Sequence, residues 1–268
     1  MEKELALKTF DGIELLGRID SPDDPNAICL IVHGITEHCG RYDYLTEKLL
    51  VAGYAVIRFD QRGHGRSAGK AVFYSDYTEI IKDIDVFVEA AKEEFGALPF
   101  FMIGHSMGGF GATAYGTAHP GKVDYYIISG ALTRASKRNP ILDLPLDDDA
   151  YVPNMIGNNI CSDPEVIAAY AADPLVASML SVKIIRAINV GIDWLKENVE
   201  AFVDPILILH GSNDVNIPPK DSLIFFEEVT SSDKSLRMYG GLMHNIFDEF
   251  AKDRVIRDVI EWMDDHLG

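Results

Sequence analysis

Six short apolar runs set the strongest limit on what this chain can fold into. Ala27–Val32, Tyr54–Phe59, Phe100–Ile103, Val123–Ile128, Pro205–Leu209 and Leu236–Tyr239 show no polar alternation, which is the pattern of strands covered on both faces. Between them the period becomes helical. Tyr77, Ile80, Ile81, Ile84, Phe87, Val88, Ala91 and Phe95 recur at three and four residues, and Val255, Ile256, Val259, Ile260, Met263 and Leu267 do the same near the end. Strand runs alternating with helices imply βαβ units, so the expected class is α/β, with a mostly parallel central sheet flanked by helices. Ahead of this rhythm, Leu5-Ala6-Leu7 and Ile13–Leu16 flank Asp11-Gly12, a hairpin signal.

One stretch breaks the pattern. From about residue 131 to residue 199 no strand run is as clean, and Asn139-Pro140, Pro145, Pro153 and Gly157-Asn158-Asn159 punctuate the chain before a long helical segment near Leu175–Leu195. The expected organisation is therefore a core in two parts, 1–130 and 200–268, with a helical cap or lid at 131–199 inserted before a later strand.

Composition narrows the partners. The 268 residues carry 42 acidic and 24 basic side chains, a formal charge of −18. That balance argues against nucleic acid, whose phosphates need a basic face, and against docking on an anionic membrane by charge. Three cysteines (Cys29, Cys39, Cys161) without a CxxC pair fit a reducing compartment and give no metal site. No cofactor motif is present, and no stretch approaches the 18 or so apolar residues of an integral membrane segment. A cytoplasmic protein is expected; the sequence selects no oligomeric state.

The chemistry concentrates at Phe100-Phe-Met-Ile-Gly104-His105-Ser106-Met107-Gly108-Gly109, a Gly-x-Ser-x-Gly placed where a strand run gives way to a helix. A serine on such a sharp turn stands clear of the sheet, and side chains two residues either side would collide, hence Gly104 and Gly108. The hydroxyl needs a base oriented by a carboxylate, and in this architecture chain order runs Ser, acid, His. Of the later histidines, His266 sits near the end of the terminal helix and His210 precedes any acid, whereas His244 occupies a Gly-rich loop after a strand run. Asp214 follows the run ending at Leu209, where loops build active sites in open sheets. Asp204 lies at the wrong end of that run, Asp221 and Asp233 lie in or beside a helix, and Asp248 is a local competitor. Donors for a developing oxyanion are expected from the backbone N–H groups of Met107 and of Ile35, in the turn His33-Gly34-Ile35.

Together these blocks make the chain resemble the monoacylglycerol lipase-like group of the α/β-hydrolases, with lysophospholipases and carboxylesterases among its relatives. The resemblance rests on His33-Gly-Ile-Thr-Glu-His-Cys-Gly-Arg-Tyr42, Asp60-Gln-Arg-Gly-His-Gly-Arg-Ser67, Gly104–Gly109, Leu209-His-Gly-Ser-Asn-Asp214, the His244 loop, Ser162–Tyr170 and Asp173–Val176. It implies the α/β-hydrolase fold, the Ser106–Asp214–His244 triad, and Glu37, Arg41 and His105 at the polar end of the site. Two positions depart from it: Ile35 stands where a small residue is usual, and Thr36 where glycine is common.

The residues thus point to ester hydrolysis through an acyl-enzyme, on a small-molecule acyl ester, with monoacylglycerols or related single-chain esters favoured by the resemblance. A small-acyl carboxylesterase and an aminopeptidase on the same triad are the enzyme alternatives, the latter needing carboxylates such as Asp147-Asp148-Asp149 at the pocket. A non-catalytic ligand-binding module is the third. Glu37, His38 and Arg41 are expected to brace the oxyanion loop, and His64 to pack a turn. Met179 and Ile184 are expected to line an acyl tunnel.

Overall fold

The computed structural model describes residues 1–137 and 139–268. Its elements run β1 (Glu2–Lys8), β2 (Glu14–Asp20), β3 (Ala27–Val32), α1 (Asp43–Val51), β4 (Tyr54–Phe59), α2 (Thr78–Phe95), β5 (Phe100–His105), α3 (Met107–Ala118) and β6 (Tyr125–Ser129). After β6 the chain leaves the sheet for β7 (Tyr151–Pro153), α4 (Pro164–Ala172), β8 (Met179–Ser181) and α5 (Val182–Asn198). It returns with β9 (Ile206–Gly211), α6 (Pro219–Glu228), β10 (Lys234–Tyr239) and α7 (Lys252–Asp265). Among the described residues the main sheet has eight strands in the order β1-β2-β4-β3-β5-β6-β9-β10. Only β2 runs against the rest, since β1 is antiparallel to β2 and β2 to β4, as the α/β-hydrolase fold requires.

The hairpin forms as its turn residues dictate: Gly12 takes φ +84° and its N–H donates to Thr9 O at 3.0 Å, closing the register Leu7↔Leu15. In the interior strands, the pleat sends successive side chains to opposite faces. Ile28, Leu30 and Val32 enter one core with α2, α3 and α5, whereas Cys29 and Ile31 enter a second with α1 and α7. The strands β3, β4, β5 and β9 are buried throughout, which is why their sequences carry no alternation. The edge strand β10 differs, leaving Met238 39% exposed, because it has a neighbour on one side only.

Strand order positions the site. From β3 the chain crosses to β4 on one side and then to β5 on the other, so the loops after β3 and β5 part at a switch point and leave a crevice at the carboxyl ends. Register aligns those ends: Val32 pairs with Gly104, His105 with Ser129, and Ser129 with Leu209.

The inserted segment departs from the expected single helix over 175–195. Residues 173–176 form a turn, β8 pairs antiparallel with β7 through Val152↔Leu180, and α5 begins only at Val182. The cause is local chemistry. Asp173 accepts the Leu175 N–H at 2.8 Å, and Ser181 caps α5 by accepting the Ile184 N–H at 3.1 Å, two side chains that fix a turn and a helix start.

Candidate active site

Ser106 sits between β5 and α3 with φ +55° and ψ −117°, a backbone conformation that a non-glycine residue holds only under constraint. The glycines around it explain how. A Cβ on Gly104 would lie 2.4 Å from Gly108 O, and one on Gly108 would lie 2.0 Å from Val32 O. Only glycine at both positions lets α3 start this close to β3 and β5. Met107 opens α3, so its N–H belongs to the first-turn donors that have no acceptor within the helix.

Three chain-distant groups meet at the serine. His244 Nε2 lies 3.0 Å from Ser106 Oγ, and His244 Nδ1–H donates to Asp214 Oδ2 at 2.7 Å; the carboxylate thereby selects the tautomer that leaves Nε2 free to accept. Asp214 Oδ1 accepts the N–H groups of Asn216 and Ile217, each at 2.9 Å. Burial alone would raise the Asp214 pKa, but the His244 ring and the donors from His210, His244 and Ile217 outweigh it and hold the carboxyl well below its usual range.

Chain order leaves His210 without a role, because it precedes Asp214. The structure brings it in: its Nε2–H donates to the same Asp214 Oδ2 at 3.0 Å, and its Nδ1 accepts from Ser222 Oγ at 2.7 Å. The signal was the four-residue spacing from His210 to Asp214, which lets a strand-end side chain meet the turn that follows it. The other acids lie elsewhere. Asp248 accepts from Arg41 Nη2 at 2.9 Å and Asn245 Nδ2 at 3.1 Å, Asp204 from Gly121 N at 3.0 Å, and Asp233 pairs with His266 at 3.0 Å.

The loop after β3 carries Ile35 beside Ser106 in one cavity. Glu37 braces it: its Oε1 accepts the Gly34 N–H at 2.6 Å and the Tyr42 hydroxyl at 2.7 Å, and its Oε2 accepts Arg41 Nε at 3.1 Å. Burial opposes the charge on Glu37, yet His105, Arg41 and these donors pull its pKa down to about 2. The His105 ring centroid lies 4.7 Å from that of His244, and burial, followed by His244, lowers the His105 pKa to about 4. Glu37, Arg41 and His105 therefore stand behind the histidine loop, lining a separate small cavity with Asn245 and Asp248. They are placed to support the site and do not face the cavity at Ser106.

That cavity, about 200 Å³, is walled by Leu132, Leu142, Leu180, Ile185, Ile188, Ile192 and Ile217, with Lys137, Asn189, Asn216 and Asp221 as its main polar groups. Met179 and Ile184 do not line it, contrary to the sequence expectation. Met179 is 39% exposed on β8 while its neighbour Leu180 points inward, and Ile184 is fully buried in the larger core. On α5 the cavity side runs through Ile185, Ile188 and Ile192, while Ile184, one turn before Ile188 at the margin of the same face, packs into the core. Two members of the acidic run are held in ion pairs, Asp148 with Lys183 and Arg186 and Asp149 with Lys70, and none of the three lines the cavity. His64 is buried, its Nδ1–H donating to Arg62 O at 2.9 Å.

Comparison with known proteins follows the same lines. Residues 23–251 match the family described as serine aminopeptidase, S33. A monoacylglycerol lipase of Mycolicibacterium smegmatis is 35% identical over 266 residues, covering 96% of this chain and 95% of that protein. A soluble variant of monoglyceride lipase from Saccharomyces cerevisiae, solved in complex with a substrate analog, aligns with a TM-score of 0.88 at 26% identity, over 99% of this chain and 96% of that one. A Paleococcus ferrophilus monoacylglycerol lipase aligns with a TM-score of 0.82 at 28% identity, over 99% of each chain. The chain belongs to the serine aminopeptidase S33 family and is an α/β-hydrolase of the monoglyceride lipase type.

Proposed function

We propose that this hydrolase cleaves single-chain acyl esters, monoacylglycerols foremost, with Ser106 as nucleophile, His244 as base and Asp214 as the acid that orients it. Ser106 Oγ attacks the acyl carbonyl while its proton passes to His244 Nε2. The carbonyl oxygen takes the negative charge between the Ile35 and Met107 N–H groups, the alcohol departs with the proton from His244, and water releases the acid by the same path. In this reading residues 131–199 act as the cap that supplies most of the apolar wall, and the protein works in a reducing compartment such as the cytoplasm, a placement supported by its three free cysteines.

The observation that carries this reading is the union of the Ser106–His244–Asp214 chain with an isoleucine- and leucine-walled cavity. An aminopeptidase would need a free carboxylate there to hold the substrate ammonium. Asp221 already accepts from Ser136 N at 3.2 Å and from the Ser136 hydroxyl, and Lys137 on the same wall repels a cation.

The test is fluorophosphonate labelling with p-nitrophenyl ester and monoacylglycerol assays. Ser106→Ala is expected to abolish labelling and to lower kcat about 10³-fold or more, with native circular dichroism. Asp214→Asn is expected to fall strongly and Asp248→Asn mildly. The reverse order would reassign the acid, and a wild-type protein that takes no label would favour a binding module.

A further inference from the structure

Thr36 follows Ile35 in the turn after β3, and it is both β-branched and fully buried with φ +64°. A left-handed backbone at such a residue is disfavoured, so the surroundings must hold it. On the core side, Glu37 fixes Gly34. On the other side its hydrogen-bond partners beyond the loop itself come from the segment inserted between β6 and β9. Thr36 O accepts the Ala177 N–H at 2.8 Å. The Thr36 hydroxyl donates to Ile35 O at 2.6 Å and meets the Tyr170 hydroxyl at 2.9 Å and Asn154 Nδ2 at 3.0 Å. Asn154 Nδ2 also reaches Tyr170 Oη and Ala177 O, both at 3.0 Å. Arg41, already bound to Glu37, lies over the Tyr170 ring at 4.8 Å, and His38 meets Asp173 at 2.9 Å.

We propose that Asn154 and Tyr170 are positioning residues for the oxyanion loop: by holding Thr36 in its left-handed conformation they aim the Ile35 N–H at the carbonyl oxygen of the reacting ester. Neither residue lines the cavity at Ser106, so their effect falls on the chemical step and leaves substrate binding alone. The inserted segment then does more than wall the acyl site. When it is seated the oxyanion loop is held, and when it lifts Thr36 loses Tyr170, Asn154 and Ala177 together and the turn relaxes. Every ester depends on the same oxyanion, so the effect is blind to acyl length.

This inference rests on the proposed triad and on Ile35 as donor, and Ser106→Ala serves as the separate control for that reading. Tyr170→Phe removes one hydroxyl and keeps the ring beneath Arg41. It is expected to lower kcat roughly 10- to 100-fold, equally for acetyl and decanoyl p-nitrophenyl esters, with KM within about twofold and affinity for a trifluoromethyl ketone, which forms the same oxyanion, falling in parallel. Asn154→Ala is expected to follow the same pattern. Glycine adopts positive φ without strain, so adding Tyr170→Phe to Thr36→Gly is expected to cost nothing beyond Thr36→Gly itself. A Tyr170→Phe protein with a lowered Tm but unchanged kcat and ketone affinity overturns the proposal, as does an equal loss from Tyr170→Phe in both backgrounds. If Ser106→Ala retained activity, the triad reading would fail first, whatever Tyr170→Phe did.

Discussion

Ile188 offers the sharpest test of acyl recognition, because its helical neighbour Ile184 provides an internal control. Ile188 is 5% exposed and lines the cavity with Ile185 and Ile192, whereas Ile184 is fully buried outside it. Ile188→Ala removes three carbons from the wall. At about 0.8 kcal/mol per buried CH₂ the ceiling is near 2.4 kcal/mol, and because a bound chain touches only one side of the residue, about 1–2 kcal/mol is expected to reach a long acyl group. At 1.4 kcal/mol per decade that is a roughly 5- to 30-fold loss in kcat/KM. An acetyl group presents a single methyl to the same wall and is expected to lose less than about twofold. Ile184→Val is expected to cost about 0.5–1.5 kcal/mol of stability in urea unfolding with the decanoyl-to-acetyl ratio unchanged. Steady-state kinetics on both esters for both variants decide the matter. Equal losses on the two esters in Ile188→Ala, or a changed ratio in Ile184→Val, would refute the assignment of the acyl wall.

Two further outcomes concern protons. His210→Leu removes one of the two side-chain donors on Asp214 Oδ2 and loosens the carboxylate that holds His244 for proton transfer, so kcat is expected to fall with KM little changed; an unchanged kcat would sink this. Burial, followed by the adjacent rings of His244 and His33, lowers His105 to about 4 and His64 to about 3 from an ordinary 6.5. The unfolded chain therefore binds more protons below 6.5, so this stability is full above that pH and lost as pH falls. About 2 kcal/mol per residue is expected to disappear between pH 7 and 5, and a constant urea midpoint across that window would contradict it.

The sheet and the nucleophile turn were legible because each is written locally. Strands buried on both faces leave unbroken apolar runs, and the strand-to-helix turn announces itself in the Gly-x-Ser-x-Gly spacing, although the contact that demands Gly108 comes from distant Val32. Asp214 and His244 could be found by chain order and loop position. His210 could not, since its role depends on a carboxylate folding back across a turn. The inserted segment was the least legible. Its apolar positions over 175–195, Met179, Leu180, Ile184, Ile185 and Ile188 among them, fit one helical stripe, but Met179–Ser181 is a strand and the helix starts at the Ser181 cap, so of that stripe Leu180, Ile185 and Ile188 wall the cavity, joined by Ile192, and Met179 and Ile184 do not. The Thr36 clamp left only one trace, a threonine where the resembled family commonly has glycine, because a backbone angle is not written in any periodicity.

Strand order also has a consequence for how the chain is made. The partner of β6 on its outer side is β9, paired Tyr126↔Ile206, and the whole inserted segment lies between them in sequence. On a ribosome adding about 5–20 residues per second, β6 stands finished for roughly 4–15 s before its neighbour exists. During that interval a strand whose Tyr126, Ile127 and Ile128 end up fully buried is an open hydrogen-bonding edge, the kind that recruits other chains. Long-range pairing of this kind is slow to find, so the step most exposed to self-association is the docking of β9. Appearance of esterase activity in a nascent or refolding chain is therefore expected to mark the closure of that edge, because Asp214 and His244 of the proposed triad both lie beyond it.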